Sequence, residues 1–284
     1  MGTGSLERLF APRWAGGWSG ARSAFGLAAL YAQALRYPDV RDALAAPNVV
    51  FASGPTRIAD HVLLGPATAW GVWAAGLLPV LAILIGGRWA KPGIVGWLLL
   101  HAGLLAAMGL NVRVPERLIL WIAAGLLLGP VGERDLTEKH RSPAPRWFLM
   151  LVLSGLYGST GWLKLLAEPA WWTGEALRYD LVDRFHAGGW LATWLSGHPS
   201  LCLGMSWFTM LFEASFPILI WWPAATPWLL LGGVAMHLGI GTLMRVGPLG
   251  VMAVAAYPAV CDPDRAAAIW MATRRRLRQL TRRV

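Results

Sequence analysis

Cysteine and charge are both scarce in this chain. Two cysteines in 284 residues, Cys202 and Cys261, supply neither a disulfide framework nor a C-x-x-C spacing for metal or redox work. Both read as small buried residues, and the sequence offers no metal site. Asp, Glu, Lys and Arg together make up only 14% of the chain against 56% apolar residues, far more apolar material than a soluble domain needs to close one core. Acidic residues are scarcer than basic ones, 15 against 25, which gives a formal net charge of +10 and a pI near 10.6. The basic residues gather at the ends of apolar segments and in the tail. That distribution reports membrane topology and anionic lipid rather than nucleic acid, for which no reading fold is present. No internal repeat and no significant low-complexity segment occurs.

What is abundant is tryptophan, 18 residues in all. Many flank apolar stretches (Trp18, Trp70, Trp89, Trp121, Trp147, Trp221, Trp222), as rings at the headgroup level of a bilayer do. Apolar length and polar breaks predict an all-α, polytopic integral membrane bundle of about eight helices. These run from Trp18 to Tyr37, Leu64 to Gly86, Gly93 to Leu110, Leu118 to Val131, Trp147 to Leu166, Leu201 to Trp222, Trp228 to Met244 and Val246 to Cys261. The fourth and eighth are short for a bilayer that needs about 20 apolar residues, so tilt, flanking residues or neighbouring helices must complete them. The first mimics a signal peptide, yet Arg22 lies inside the span and Arg36 follows it, which suits a retained helix with a functional or snorkelling arginine.

Orientation follows from the basic residues of the connections. With the amino terminus inside, the inner set holds Arg8, Arg13, Arg88, Lys91, Arg134, Lys139, Arg141, Arg146 and the arginine-rich tail, and it outnumbers the outer set. Both termini are therefore expected in the cytoplasm, with Lys164 and the connection from Glu168 to Pro199 on the outer side. Cys202 and Cys261 then fall at opposite faces, too far apart for a disulfide. Residues 1–261 form the bundle and residues 262–284 a separate tail. In the tail Asp262 and Pro263 suit a helix start, and Ala266, Ile269, Trp270, Leu277, Leu280 and Val284 follow helical spacing against an arginine face, as in a helix lying on anionic lipid.

Three ionisable residues fall inside the predicted spans: Lys164 on the fifth, Glu213 on the sixth and His237 on the seventh. A lysine at bilayer depth costs roughly 2.5 to 3.5 kcal/mol, so it either snorkels to the outer interface or does something that needs a partner. Glu213 is either catalytic or a structural partner for a basic group, and His237 either catalytic or a hydrogen-bonded core residue. Small residues, Ser154 and Gly158 on the fifth helix and Gly233 and Gly241 around His237 on the seventh, predict close approach of those two helices. Lys164 shares a helical face with Tyr157 and Gly161. The expectation is a polar cluster of Lys164, Glu213 and His237 around a quinone-sized apolar slot, with Trp171 and Trp172 as its outer lid. His101 is a core residue or a weaker proton-path candidate. The segment from Glu175 to His198 reads as a solvated connection, or as a contact for an acidic peptide or a headgroup at the mouth of the site.

The run Tyr157-Gly158-Ser159-Thr160-Gly161-Trp162-Leu163-Lys164-Leu165, then Trp172-Thr173-Gly174, Glu213, His237-Leu238-Gly239-Ile240 and the closing Ala256-Tyr257-Pro258-Ala259-Val260-Cys261 resembles the vitamin K-dependent γ-carboxylase family. The likeness is closer to its bacterial members, the horizontally transferred transmembrane (HTTM) domain, and extends from about Gly20 to Cys261. The resemblance implies a bacterial inner-membrane enzyme using a reduced quinone of the vitamin K or menaquinone type, O2, and CO2 if it carboxylates, with no metal. It implies that Lys164 is the base that deprotonates the quinol, with His237 and Glu213 as further catalytic candidates. Tyr157, Gly161, Trp171, Trp172, Gly174 and Asn111 are then the residues lining the substrate or quinone. The chain departs from the family in two respects. The large substrate-recognising region of the animal enzymes does not follow Cys261, and the family's Asn-His pair stands here as Asn111-Val112. Protein glutamate carboxylation is thereby put in doubt, though quinol chemistry is not. A non-enzymatic reading also stands: a maturation or export factor for a secreted peptide, or a small-solute permease.

Overall fold

The computed structural model describes residues 13–14, 16–35, 66–108, 114–132, 139–140, 142–183, 188–245 and 247–261. Asn111 and the tail 262–284 lie outside them. The described residues are almost all helical: α1 Gly16–Leu35, α2 Pro66–Ala75, α3 Leu77–Ile85, α4 Ala90–Met108, α5 Val114–Leu128, α6 Ala144–Leu166, α7 Pro169–Thr173, α8 Glu175–Val182, α9 Trp190–Ser196, α10 Pro199–Leu219, α11 Thr226–Leu243, α12 Leu249–Ala255 and α13 Tyr257–Val260. One two-residue antiparallel bridge joins Arg13–Trp14 to Lys139–His140.

Three of these helices, α6, α10 and α11, are long and apolar enough to cross a membrane. The second and eighth predicted segments are instead each broken in two. Pro79 cannot donate a backbone hydrogen bond and its ring crowds the carbonyl one turn before it, so the chain breaks at Gly76. Gln33 of α1 fills that break. Its Nε2 donates to the Trp73 carbonyl (2.7 Å) while Trp73 Nε1 donates to the Gln33 carbonyl (2.6 Å). A Cβ at Gly76 would strike the Gln33 amide, so the glycine makes this approach possible. Pro258 plays the same part between α12 and α13.

Buried arginines finish two helix ends. Arg22 donates from Nη1 to the carbonyls of Ile83 and Leu84 at the carboxyl end of α3, where cationic donors satisfy the last carbonyls of a helix. Gly86 beyond it has φ 75°, and a Cβ there would lie 2.7 Å from the guanidinium. Arg146 at the start of α6 donates from Nε (3.1 Å) and Nη2 (3.0 Å) to the Val260 carbonyl ending α13. Arg22 is thus a buried cap rather than a snorkelling side chain.

α1 packs against α3, α12 and α13, and α6 lies along α10. The largest core gathers α1, α3 to α6 and α10 to α13 around Phe25, Trp97, Ile119, Leu149 and Phe216. A smaller one, with Leu177, Leu181, Leu195 and Cys202, seats α8 and α9 against α10. The segment after Glu175, predicted as a solvated connection, therefore contains two short packed helices. Cys202 is buried, its Sγ donating to the Leu195 carbonyl, and Cys261 is half-buried.

Candidate functional site

The carboxyl-terminal half of α6 packs closely against α10, and what permits this is glycine on the shared face. A Cβ at Gly161 would lie 2.4 Å from the Ala214 nitrogen and one at Gly158 2.7 Å from the Pro217 ring, so a side chain at either position would force the helices apart. Close approach brings Lys164, in the last turn of α6, onto Glu213 of α10, with Nζ 2.5 Å from Oε2. Glu213 is 6% exposed and the lysine side chain 16%. Pro217, four residues on from Glu213, cannot donate to its backbone carbonyl, so that carbonyl lacks its usual helical donor. Trp162 Nε1 fastens the same turn by donating to the Ala214 carbonyl, 3.1 Å away.

The short helix α7 covers this pair. Lys164 Nζ lies 4.8 Å from the centre of the Trp171 ring, a cation–π distance. Trp171 is itself held by donation from Nε1 to Glu168 Oε2 (2.7 Å). Trp172 points elsewhere: its Nε1 donates to the Leu165 carbonyl (3.0 Å) and its ring meets Trp207 edge to face. Gly174 (φ 78°) ends α7 with its Cα side against the Leu203 backbone, where a Cβ would come to 2.8 Å. Of the predicted lid, Trp171 touches the lysine, whereas Trp172, like the lining candidate Gly174, fixes α7 to its neighbours.

His237 belongs to a different group. Its Nε2 is 2.5 Å from the Tyr157 hydroxyl, which in turn is 2.6 Å from the Tyr257 hydroxyl. All three are buried, tying α6, α11 and α13 together. Phe212 and Phe216 wall Tyr157 in, with ring centres at 5.7 and 4.2 Å. Tyr157 stands seven residues before Lys164 on α6, about 10 Å of helix rise. The predicted single cluster of Lys164, Glu213 and His237 is therefore two: an ion pair at the end of α6, and a Tyr–Tyr–His chain two turns deeper. Tyr257 was not among the residues that the sequence singled out for a role.

The small residues expected to bring α6 and α11 together serve other neighbours. Gly158 admits α10, and Gly233 admits the Tyr257 ring, whose hydroxyl would be 2.3 Å from a Cβ at that position. Gly241 has nothing within 4 Å. His101 is buried and stacks on Trp97, with ring centres 4.9 Å apart and planes 9° from parallel, as a core residue does. Arg178, a candidate contact for an acidic peptide, is engaged within its own segment by Glu175 (2.6 Å) and the Ser196 carbonyl (3.1 Å).

Apolar cavities open between helices among the described residues. One, about 520 Å³, lies between α5 and α6 beside Trp121, Phe148, Gly155 and Ser159. Another, about 310 Å³, lies between α1, α11 and α12 and includes His237 in its wall. Lys164 and Glu213 line neither. No family model, no curated protein and no solved structure matches this chain.

Proposed function

We propose that the chain is an integral membrane enzyme of quinol and O2 chemistry, resembling the vitamin K-dependent γ-carboxylases and their bacterial HTTM relatives, with Lys164 as its base. The observation that carries this reading is the Lys164–Glu213 contact under Trp171. A lysine is a base only as the neutral amine, so a base at this depth needs somewhere to leave its own proton. Glu213 Oε2, 2.5 Å from Nζ, supplies that place. With the proton on the carboxyl group, the Nζ lone pair accepts a quinol hydroxyl proton, which leaves an ammonium beside the still-protonated carboxyl group and the quinolate anion as its counter-charge.

The donor set fits such a ligand: one amine, one carboxylate behind it and one indole face beside it, on a helix that presents Trp162, Leu163 and Leu166 outward. A reduced quinone with O2 would supply, when bound, the strong oxygen base that this chemistry needs. Trp171 would hold the flat ring and Lys164 its hydroxyl, and α7 would keep water from the pair. His237, bonded to Tyr157, stands apart from this contact and positions rather than reacts.

Membrane placement is part of the proposal. α2 with α3, and α12 with α13, each make one crossing, giving eight crossings in the bacterial inner membrane. The alternating direction of neighbouring helices supports this: a Cβ at Gly17, near the start of α1, would meet the Pro258 carbonyl near the end of α13. Both termini then face the cytoplasm, the arginine-rich tail lies on anionic lipid, and Lys164 faces outward. A second reading, a non-enzymatic maturation or export factor for a secreted peptide or a permease, is favoured by the same contact if the ion pair only clamps α6 to α10.

The test is turnover of a reduced menaquinone-type quinol to its epoxide by the protein in lipid. Wild type is expected to form epoxide and Lys164→Arg, which keeps the charge but has no basic form, to lose it by at least about a hundredfold. Epoxide formation undiminished in Lys164→Arg defeats the base assignment; none in wild type favours the clamp.

A further inference from the structure

The 310 Å³ cavity between α1, α11 and α12 changes polarity along its length. Most of its wall is hydrocarbon: Ala24 and Leu27 of α1, Val234 and Leu238 of α11, Val251 and Val254 of α12. His237 also borders it, but Nδ1 is sealed off behind Gly250, where a Cβ would lie 3.1 Å from that nitrogen. Leu27 and Leu238 stand exposed on the outside of the bundle, so the cavity opens sideways, where lipid would be. From Ala24 to Tyr31 it follows about 10 Å of helix rise. Polar groups come at one end. Tyr31 is half exposed there, and its hydroxyl has no hydrogen-bond partner among the described residues. That end is opposite the start of α1, where Gly17 meets Pro258. Beyond it lies Arg245, in the short connection between α11 and α12, the two helices that wall the cavity. Leu238 precedes the last residue of α11, Leu243, by about 8 Å of rise, so Arg245 stands just past the cavity. Arg245 is exposed and makes no hydrogen bond or ion pair among the described residues.

We propose that this is a site for one acidic glycerophospholipid of the adjoining leaflet, with an acyl chain in the cavity and its phosphate on Arg245. The order of groups along the site is the order of groups along such a lipid. Hydrocarbon comes first, then ester carbonyls that accept from the Tyr31 hydroxyl, then a phosphate that an unpaired guanidinium binds through its fork of donors. The 520 Å³ cavity lacks this order, because its polar groups are Ser159 and Thr160, whose hydroxyls already donate to the Leu156 carbonyl. Charge selects the acidic lipid, since one arginine near a bilayer surface favours an anionic headgroup by about fivefold. The site shares no contact with Lys164 and does not depend on which leaflet is the outer one, so it stands apart from the proposed enzyme.

The experiment places the full-length protein in phosphatidylcholine vesicles with a minor fraction of phosphatidylglycerol carrying a photoreactive diazirine in one chain. After irradiation, cross-linked residues are located by mass spectrometry. Cross-links are expected to be several times denser at Leu27, Val234, Leu238 and Val251 than at Leu99 and Ile218, which are exposed on the bundle away from the cavity. Unlabelled phosphatidylglycerol should compete them away, and dioleoylglycerol, which has the chains without the phosphate, should not. Arg245→Gln is expected to lower cross-linking in the cavity about fivefold while leaving Leu99 and Ile218 unchanged. Leu238→Trp, which fills the entrance from an exposed position, should lower it as well. Both positions are exposed, so neither change threatens the fold. Equal density inside and outside the cavity, the mark of ordinary surrounding lipid, overturns the proposal. So does competition by dioleoylglycerol equal to that by phosphatidylglycerol, competition by a menaquinone alone, or cross-linking unchanged in Arg245→Gln. Epoxide formation does not enter this measurement, so the two readings fail separately.

Discussion

The two polar groups differ in what breaking them leaves behind. Lys164→Met strands the Glu213 carboxylate, 6% exposed, without its cation. Removing one member of a buried pair costs roughly 3 to 5 kcal/mol, whereas replacing both by apolar residues is often neutral. The lysine's residual exposure favours the lower end. The expected order of thermal stability in detergent is therefore the Lys164→Met/Glu213→Met double variant above either single variant; a double variant less stable than both would show that the pair is not what the singles disturb. In the tyrosine chain, Tyr157→Phe strands two groups, His237 Nε2 and the Tyr257 hydroxyl, while Tyr257→Phe strands none outright. Measured hydrogen bonds between membrane helices average about 0.6 kcal/mol, so Tyr257→Phe should lower stability only slightly and Tyr157→Phe by about 2 kcal/mol. Unfolding midpoints that place Tyr257→Phe below Tyr157→Phe would contradict the bonding order. Lys164, Glu213 and His237 stood out in the sequence because ionisable residues are rare in apolar runs. Their division into two groups did not, because it depends on how far each helix is rotated about its axis.

Helix identity was legible from apolar length, and helix continuity was not. Each long predicted segment has a counterpart within a few residues, yet those around Pro79 and Pro258 are broken, since apolar content says nothing about a missing backbone donor. Small-residue spacing marked a real close contact but misnamed the partner: Gly158 faces α10 rather than α11. A spacing of four defines a face without saying what meets it. The assignment is testable because Gly155, on the same helix, has nothing within 4 Å of its Cβ position. Gly155→Ala is expected to be neutral or slightly stabilising, as alanine is the better helix former. Gly161→Ala should cost about 1 to 3 kcal/mol, because α6 and α10 must separate to admit the methyl group. It should also draw Lys164 off Glu213 and lower any lysine-dependent turnover, an effect that Gly155→Ala should not share. Equal unfolding midpoints for the two variants would remove the glycine-mediated contact from the account.

At the scale of the whole molecule, the surface and the two ends belong together. Large apolar side chains such as Leu78, Ile85, Leu99, Leu151, Ile218, Trp228 and Leu231 stand outward at high exposure, which in water would amount to a patch far larger than monomeric proteins carry. In a bilayer the same surface faces hydrocarbon and costs nothing. One end of the bundle is closed by Arg22 and Arg146 on helix carbonyls, and the other by α7, α8 and α9 around the Lys164 pair. The excess of basic residues at the Arg146 end is what supports the proposed cytoplasmic placement of that end. That orientation decides whether the candidate base meets a substrate on the secretory side. With Cys202 and Cys261 replaced by alanine, Thr193→Cys on α9 is expected to react with a membrane-impermeant maleimide in intact cells. Ala144→Cys at the start of α6 is expected to react only once the membrane is opened. The reverse pattern would turn the molecule over, leaving Lys164 facing the cytoplasm and the outward-facing assignment of its chemistry without support.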